Sequence, residues 1–322
     1  MAAMLAVVDP VDTYLARYPA SPVVLDVLGT DEPEEIRAVA FEAEPEGVEI
    51  FHFEASVGAV YGVRRRDGSR VSVKVNKLFT DEAYFREVQR VQTALADGGF
   101  PAPRPVRLVG TTTVDEWRDE GVFRDAHEPE VRRAMARALR DFVERATATG
   151  IRPVRTFLRA EGALWPQPHN ALFDFEATAD GAEWIDEIAR LARASQGGGR
   201  EVVGHLDWAA KHVRFDDDLR PTAVYDWDSV AVDREPDVVG TAAASFTYTE
   251  EVPVDSKWPS PEEALAFVSD YEDARDVPFD EAERRAVHGA AVYLAAYGAR
   301  CGWAYARSVD RPSLERFAGA LL

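Results

Sequence analysis

The sequence predicts a bilobal α+β fold, β-rich in its first third and mainly helical after it, with a hairpin set among the helices. Three observations predict this. β-type runs crowd residues 48–75 around an Asp67-Gly68 turn. Apolar residues at helical spacing, with caps and glycine stops, dominate after residue 129. Between those helices two short β-type runs, Val213–Phe215 and Thr222–Tyr225, flank the turn signal Asp216-Asp217-Asp218.

Val48–Phe53 alternates as a strand does, and Ala55–Val63 leads through Arg64-Arg65-Arg66 and Asp67-Gly68 into Arg70–Val75. A helix follows, with Thr80 as N-cap, Asp81 and Glu82 in the first turn, and Phe85, Val88, Val91 and Leu95 on one face. Gly98-Gly99 stop it, and Pro101, Pro103 and Pro105 mark a loop. Val106–Val109 is strand-like and reaches Gly110, the expected hinge between lobes. Pro129–Thr147 carries Val131, Met135, Leu139, Phe142 and Val143 on one face, and Trp184–Ala194 forms a second helix stopped by Gly197-Gly198-Gly199. Ser260-Pro261-Glu262-Glu263 is a capping box, Asp280 caps a long helix toward Arg307, and Pro312–Leu321 is a short last one.

With 322 residues the chain is long enough for two lobes. Its net charge of −20 argues against a nucleic-acid backbone or an anionic membrane as partner, and is compatible with a cationic small molecule. A single cysteine, Cys301, excludes an internal disulfide or a cysteine-based zinc site. Met1–Val8 is apolar but short and lacks a basic flank, so it does not read as a signal peptide. Gly289–Ala306 contains Arg300 and is too short to span a bilayer, and the expected location is the cytoplasm.

The chemistry concentrates in Gly204-His205-Leu206-Asp207 and Tyr225-Asp226-Trp227-Asp228. The hairpin sets Asp207 and Asp226 at the mouths of adjacent strands. Phosphoryl transfer needs one carboxylate to orient an attacking hydroxyl and another to hold a divalent ion on the nucleotide phosphates. Lysine is scarce, present only at 74, 77, 211 and 257, which makes Lys74 on its β-type run conspicuous. The competing readings are a surface lysine on an edge strand and, for Asp216–Asp218, an exposed turn.

Over roughly residues 45–306 the order and spacing of these pieces resemble the aminoglycoside phosphotransferase-type kinases, the small-molecule branch of the protein-kinase-like fold. The resemblance implies a nucleotide-binding lobe over residues 1–109, with 1–45 a leader segment, and a helical catalytic and acceptor-binding lobe over 110–322. It implies ATP, with Lys74 on the phosphates and Glu87 holding Lys74. Glu82 on the same helix and ordinary solvation are the alternative reading of Glu87. Ser56 and Gly58, with Gly62, correspond to the loop over the phosphates, though a plain hairpin turn explains them as well.

Asp207 matches the catalytic carboxylate, with His205 organising its loop, and Asp226 the ligand for Mg²⁺. His212 stands where the family has a metal-binding Asn, and Leu206 where it usually has Gly. Imidazole suits Mg²⁺ poorly and Mn²⁺ better. The expected activity is transfer of the ATP γ-phosphate to a hydroxyl of a small molecule. The aromatic-rich stretch Ala163–Glu176 is expected to line the acceptor pocket or to pack under a loop. The alternatives are a degenerate kinase that binds without turnover and a metal hydrolase using His205, Asp207 and His212.

Overall fold

The computed structural model describes residues 9–76, 81–155, 162–170 and 172–322. They divide into two compact units: the described residues of Met1–Arg86, Arg104–Trp117 and His169–Leu172, and those of Glu87–Pro103, Arg118–Pro168 and Phe173–Leu322.

The first unit opens with three short helices, α1 (Pro10–Arg17), α2 (Pro22–Leu28) and α3 (Pro33–Ala43). Each begins on a proline, whose fixed φ suits the first turn and whose missing N–H is not needed there. Strands β1 (Gly47–Ala55), β2 (Gly58–Arg65), β3 (Arg70–Asn76), β4 (Pro105–Val109) and β5 (Thr112–Glu116) form one antiparallel sheet in the order β1-β2-β3-β5-β4. Tyr61, Val63, Val71, Val73 and Val114 face Val11, Val24, Ile36 and Ala40 in one core. Two hydroxyls tie the layers: Tyr61 donates to the Ile36 carbonyl at 3.0 Å and Tyr14 to that of Ala55 at 2.8 Å.

Two expectations change here. The segment expected as a leader supplies, over residues 10–43, one whole side of this core. Gly110, expected as a hinge, sits at φ 60 in the turn between β4 and β5, and β5 pairs with β3. The sheet therefore continues past the expected boundary at 109.

Helix α4 (Glu82–Asp97) buries Phe85, Val88, Val91 and Leu95, as the periodicity predicts. The expected N-cap Thr80 lies outside the described residues. The Asp81 carboxylate accepts from the backbone N–H groups of Ala83 and Tyr84, at 2.8 and 3.4 Å.

In the second unit α5 (Pro129–Ala148) and α6 (Glu183–Ser195) precede a two-stranded pair, β6 (Glu201–His205) with β9 (Val230–Arg234). The hairpin β7 (Val213–Phe215) and β8 (Pro221–Val224) lies between them in sequence. Helices α7 (Glu235–Ala243), α8 (Pro261–Asp273), α9 (Glu281–Ala306) and α10 (Arg311–Leu321) complete it. Ser260 and Asp280 both form capping boxes. A Cβ at Gly204 would lie 2.4 Å from Val238, so glycine lets α7 pack directly on β6. The Glu235 carboxylate is buried, and Arg200 (2.7 Å), Arg275 (2.9 Å) and the Tyr271 hydroxyl (2.8 Å) compensate it. Among the described residues no helix is long and apolar enough to cross a membrane.

If the leading helices are part of the sheet's core, Ile36→Ala will destabilise the protein by about 2–5 kcal/mol, the usual result of emptying a buried aliphatic site. Denaturant unfolding measures this. A loss well under 1 kcal/mol would show that α3 contributes little to that core.

Candidate active site

The hairpin β7–β8 places its two ends side by side, with Val213 opposite Val224. The ladder runs one step further, because Tyr225 N–H donates to the His212 carbonyl at 2.9 Å. Asp207 enters from the end of β6, and a short 3-10 turn, Ala210–His212, carries the chain into β7. Asp226 leaves from the end of β8 in the left-handed region, φ 65 and ψ 46, which Asp tolerates better than most side chains do. The structure thus brings three of the expected residues together. His212 Nε2 lies 3.2 Å from Asp207 Oδ2 and 4.0 Å from Asp226 Oδ2. Donor atoms of all three residues lie within 4.8 Å of one another.

His205 is the fourth. It is completely buried at the end of β6. Its Nε2 lies 2.9 Å from the Tyr225 carbonyl, and its Nδ1 lies 3.3 Å from the Asp207 backbone nitrogen. A carbonyl can only accept and an amide N–H can only donate. The partners therefore fix the neutral ring with its hydrogen on Nε2. Burial agrees, lowering the pKa to about 4. Both nitrogens are committed, which leaves His205 no lone pair for a metal or a travelling proton. The hydrolase reading, which needs His205 as a ligand, loses that ligand.

Burial works against ionisation of Asp207, but the hydrogen bond and charge of His212 outweigh it, with Lys211 assisting, and hold the carboxyl at about 2. Asp207 is therefore a carboxylate at neutral pH, and its side chain keeps 42% of its exposure. Ser229 Oγ donates to Asp226 Oδ2 at 2.8 Å. Beneath the loops an aromatic cluster excludes water. Phe142 of α5 meets His205, Trp208 and Trp227, with ring centres 5.9, 6.2 and 5.5 Å apart. Trp208 Nε1 donates to the Met135 carbonyl and Trp227 Nε1 to that of Val224.

The remaining expected residues fall elsewhere in the chain. Lys74 lies on β3 opposite Val60 of β2 and Thr113 of β5, alternating with the core residues Val73 and Val75, so it belongs to the sheet face opposite α1–α3. Ser56 and Gly58 form the β1–β2 turn, closed by Ser56 N–H to the Gly58 carbonyl at 2.8 Å. A Cβ on Gly58 would lie 2.6 Å from the Val75 carbonyl and 3.7 Å from Lys74 Cε. The glycine thus permits close strand pairing and sits beside the lysine stem. Glu87, expected to hold Lys74, pairs with Arg90 one turn along α4, with both carboxylate oxygens 2.8 Å from Nη1.

A separate aromatic pocket of the second unit follows the 163–176 stretch. It has a volume of about 680 Å³ and is lined by Leu164, Trp165, Pro166, Phe175 and Glu176 among others. Trp165 stacks on Tyr293 of α9 at 5.5 Å, donates from Nε1 to Asp186 at 2.9 Å, and lies 6.0 Å from Phe175. The sequence reading singled out the stretch but missed Tyr293 and Tyr297, whose i,i+4 spacing on α9 was the available signal. It also missed Ser229, three residues after Asp226, and Phe142, which read only as a core position.

A comparison with protein families matches residues 58–285 to the phosphotransferase enzyme family. The match spans most of the chain, and the chain belongs to this family. A sequence comparison with curated proteins finds no match. Among solved structures, the chain is similar to amicoumacin kinase hAmiN in complex with AMP-PNP, Ca²⁺ and Ami (11% identity, 96% of this chain and 95% of that one, TM-score 0.52). It is similar to choline kinase LicA from Streptococcus pneumoniae (13%, 89% and 96%, 0.51). It is also similar to spectinomycin phosphotransferase APH(9)-Ia in complex with ADP and spectinomycin (11%, 89% and 93%, 0.51). At these identities the likeness establishes the fold, which is the protein-kinase-like fold of small-molecule kinases.

Burial of a neutral His205 has a pH signature. Between its unfolded value of 6.5 and the folded value of about 4, only the unfolded chain takes up the proton. Stability from this group is complete above 6.5 and falls as the pH drops toward 4, by about 3 kcal/mol over that window. His205→Gln removes this part of the slope. Burial also lowers the pKa of His52 and His288, but both remain in the variant, so the difference between the two proteins isolates His205. Unfolding midpoints from pH 7 to pH 4 are the measurement, and parallel curves would contradict the assignment.

Proposed function

We propose that the chain is an ATP-dependent phosphotransferase that moves the γ-phosphate of ATP to a hydroxyl of a small molecule. The single observation that carries the reading is the convergence of Asp207 and Asp226 at one end of the β7–β8 hairpin, around His212. Asp207, ionised and partly open, accepts the hydrogen bond of the incoming hydroxyl and holds its oxygen in line for attack. Asp226 and His212 are the groups that would hold a divalent ion, which when bound neutralises charge on the phosphates. Lys74 is assigned to the nucleotide phosphates, with Ser56 and Gly58 as the turn that covers them. His205 does its work through others, by setting the Asp207 backbone and the Tyr225 carbonyl.

The acceptor is assigned to the aromatic pocket around Trp165 and Phe175. Its wall of rings with Glu176 suits an apolar molecule bearing an amine. A second reading, a nucleotide-binding protein without turnover, is favoured by one observation: His212 occupies a position where the family pattern has Asn.

Three variants test the roles. Asp207→Asn is expected to cut kcat by about 10²-fold or more, within the range for a positioned base, while leaving the Mg·ATP thermal shift intact. Asp226→Asn is expected to abolish most of that shift. Trp165→Ala is expected to raise the KM for the acceptor about tenfold with kcat nearly unchanged, the sign of lost uniform binding. Full turnover in Asp207→Asn would overturn its role. Nucleotide stabilisation without transfer to any hydroxyl, restored by His212→Asn, would favour the second reading.

A further inference from the structure

The donor set at the hairpin's end departs from what magnesium asks of a site. Magnesium demands octahedral oxygen at about 2.0–2.1 Å, whereas imidazole nitrogen suits the first-row transition ions. Here a nitrogen, His212 Nε2, points between two carboxylates. We propose, resting on the phosphotransferase reading of this site, that Asp226 and His212 form a mixed nitrogen–oxygen centre. It selects a divalent first-row transition ion over magnesium, with Asp207 at its edge.

The spacings fit. With metal–ligand bonds of about 2.1 Å, neighbouring donors stand about 3 Å apart and opposite ones about 4.2 Å. The separations from Nε2, 3.2 Å to Asp207 and 4.0 Å to Asp226, fall within that span. The imidazole is also held for the task. Its side chain is 13% exposed, its backbone N–H donates to the Ala209 carbonyl at 2.9 Å, and its own carbonyl accepts from Tyr225. Ser229 fixes the Asp226 carboxylate, which is the support that metal ligands require.

The same atoms suggest a consequence for Asp207. The Asp207 carboxylate is engaged by Nε2 of His212. An ion on Nε2 ends that hydrogen bond and leaves the carboxylate for an acceptor hydroxyl. Ion binding and readiness of Asp207 are then one event.

The test uses the full, nucleotide-free chain with Mn²⁺ as the probe, so it does not depend on whether ATP is bound or turned over. Pulsed EPR of the bound Mn²⁺ is expected to show an imidazole ¹⁴N coupling, replaced by a ¹⁵N coupling in protein labelled with ¹⁵N-histidine. That comparison needs no variant. His212→Asn is expected to remove the coupling and to narrow the Mn²⁺-over-Mg²⁺ affinity ratio by about tenfold or more, the range in which a site loses affinity when its ligand support is lost. Asp226→Asn is expected to weaken both ions. Bound Mn²⁺ without nitrogen coupling overturns the proposal, as does a ratio unchanged in His212→Asn or no Mn²⁺ binding at millimolar concentration. A failure of the kinase reading would show separately, as absent stabilisation by nucleotide.

Discussion

A neutral imidazole buried at the end of β6 joins the two loops that carry the chemistry. His205 donates to the Tyr225 carbonyl and accepts from the Asp207 N–H, so one ring fixes the backbone from which each carboxylate turns outward. A charged ring could not do this. Imidazolium would present a second N–H to the Asp207 amide, donor against donor, and its charge would be fully buried, a desolvation cost that the nearby Asp226 and Asp207 carboxylates do not outweigh. The site's geometry therefore depends on keeping this group dry and unprotonated. Phe142 and Trp208 pack against it and Trp227 backs Phe142, with the two indole N–H groups spent on backbone carbonyls.

What that strut holds is electrostatically expensive. Two carboxylates converge within a few ångströms, and like charges at such range disfavour double ionisation. His212 is placed to relieve this, nearer to Asp207 than to Asp226. The imidazole hydrogen-bonds Asp207 and stands 4.0 Å from Asp226. This gives a physical reason for a histidine at a position where an amide would offer only weak compensation. The chain's strongly acidic balance is consistent with a cation partner, whether an ion or an amine-bearing acceptor.

Much of the fold was legible because its signals are local. The Asp67-Gly68 turn, the Ser260 and Asp280 caps, and the apolar spacing of α4 and α5 all act within a few residues of themselves, and each lies where its pattern places it. The hairpin that converges Asp207 and Asp226 was legible for the same reason. What escaped depends on distant partners. Helices α1–α3 are short and broken by prolines, and only the sheet they cover makes them stable. Strand β5 reads as polar, Thr112 to Glu116, with Val114 alone turned to the core. The pairing of β9 with β6 joins segments about thirty residues apart, which no local pattern reports. The pairing of Arg90 with Glu87 also went unread, although Arg90 stands one turn along the same helix. Helix geometry makes residues three apart neighbours.

The claim on which the site rests is the state of His205, and histidine side-chain ¹H–¹⁵N NMR reads that state directly. The account predicts one imidazole with its proton on Nε2, protected from solvent exchange, its ¹⁵N shifts constant from pH 8 down to about 5. A His205 ring that titrates near the ordinary histidine value, or that carries its proton on Nδ1, would contradict the account and with it the fixed placement of Asp207 and Asp226.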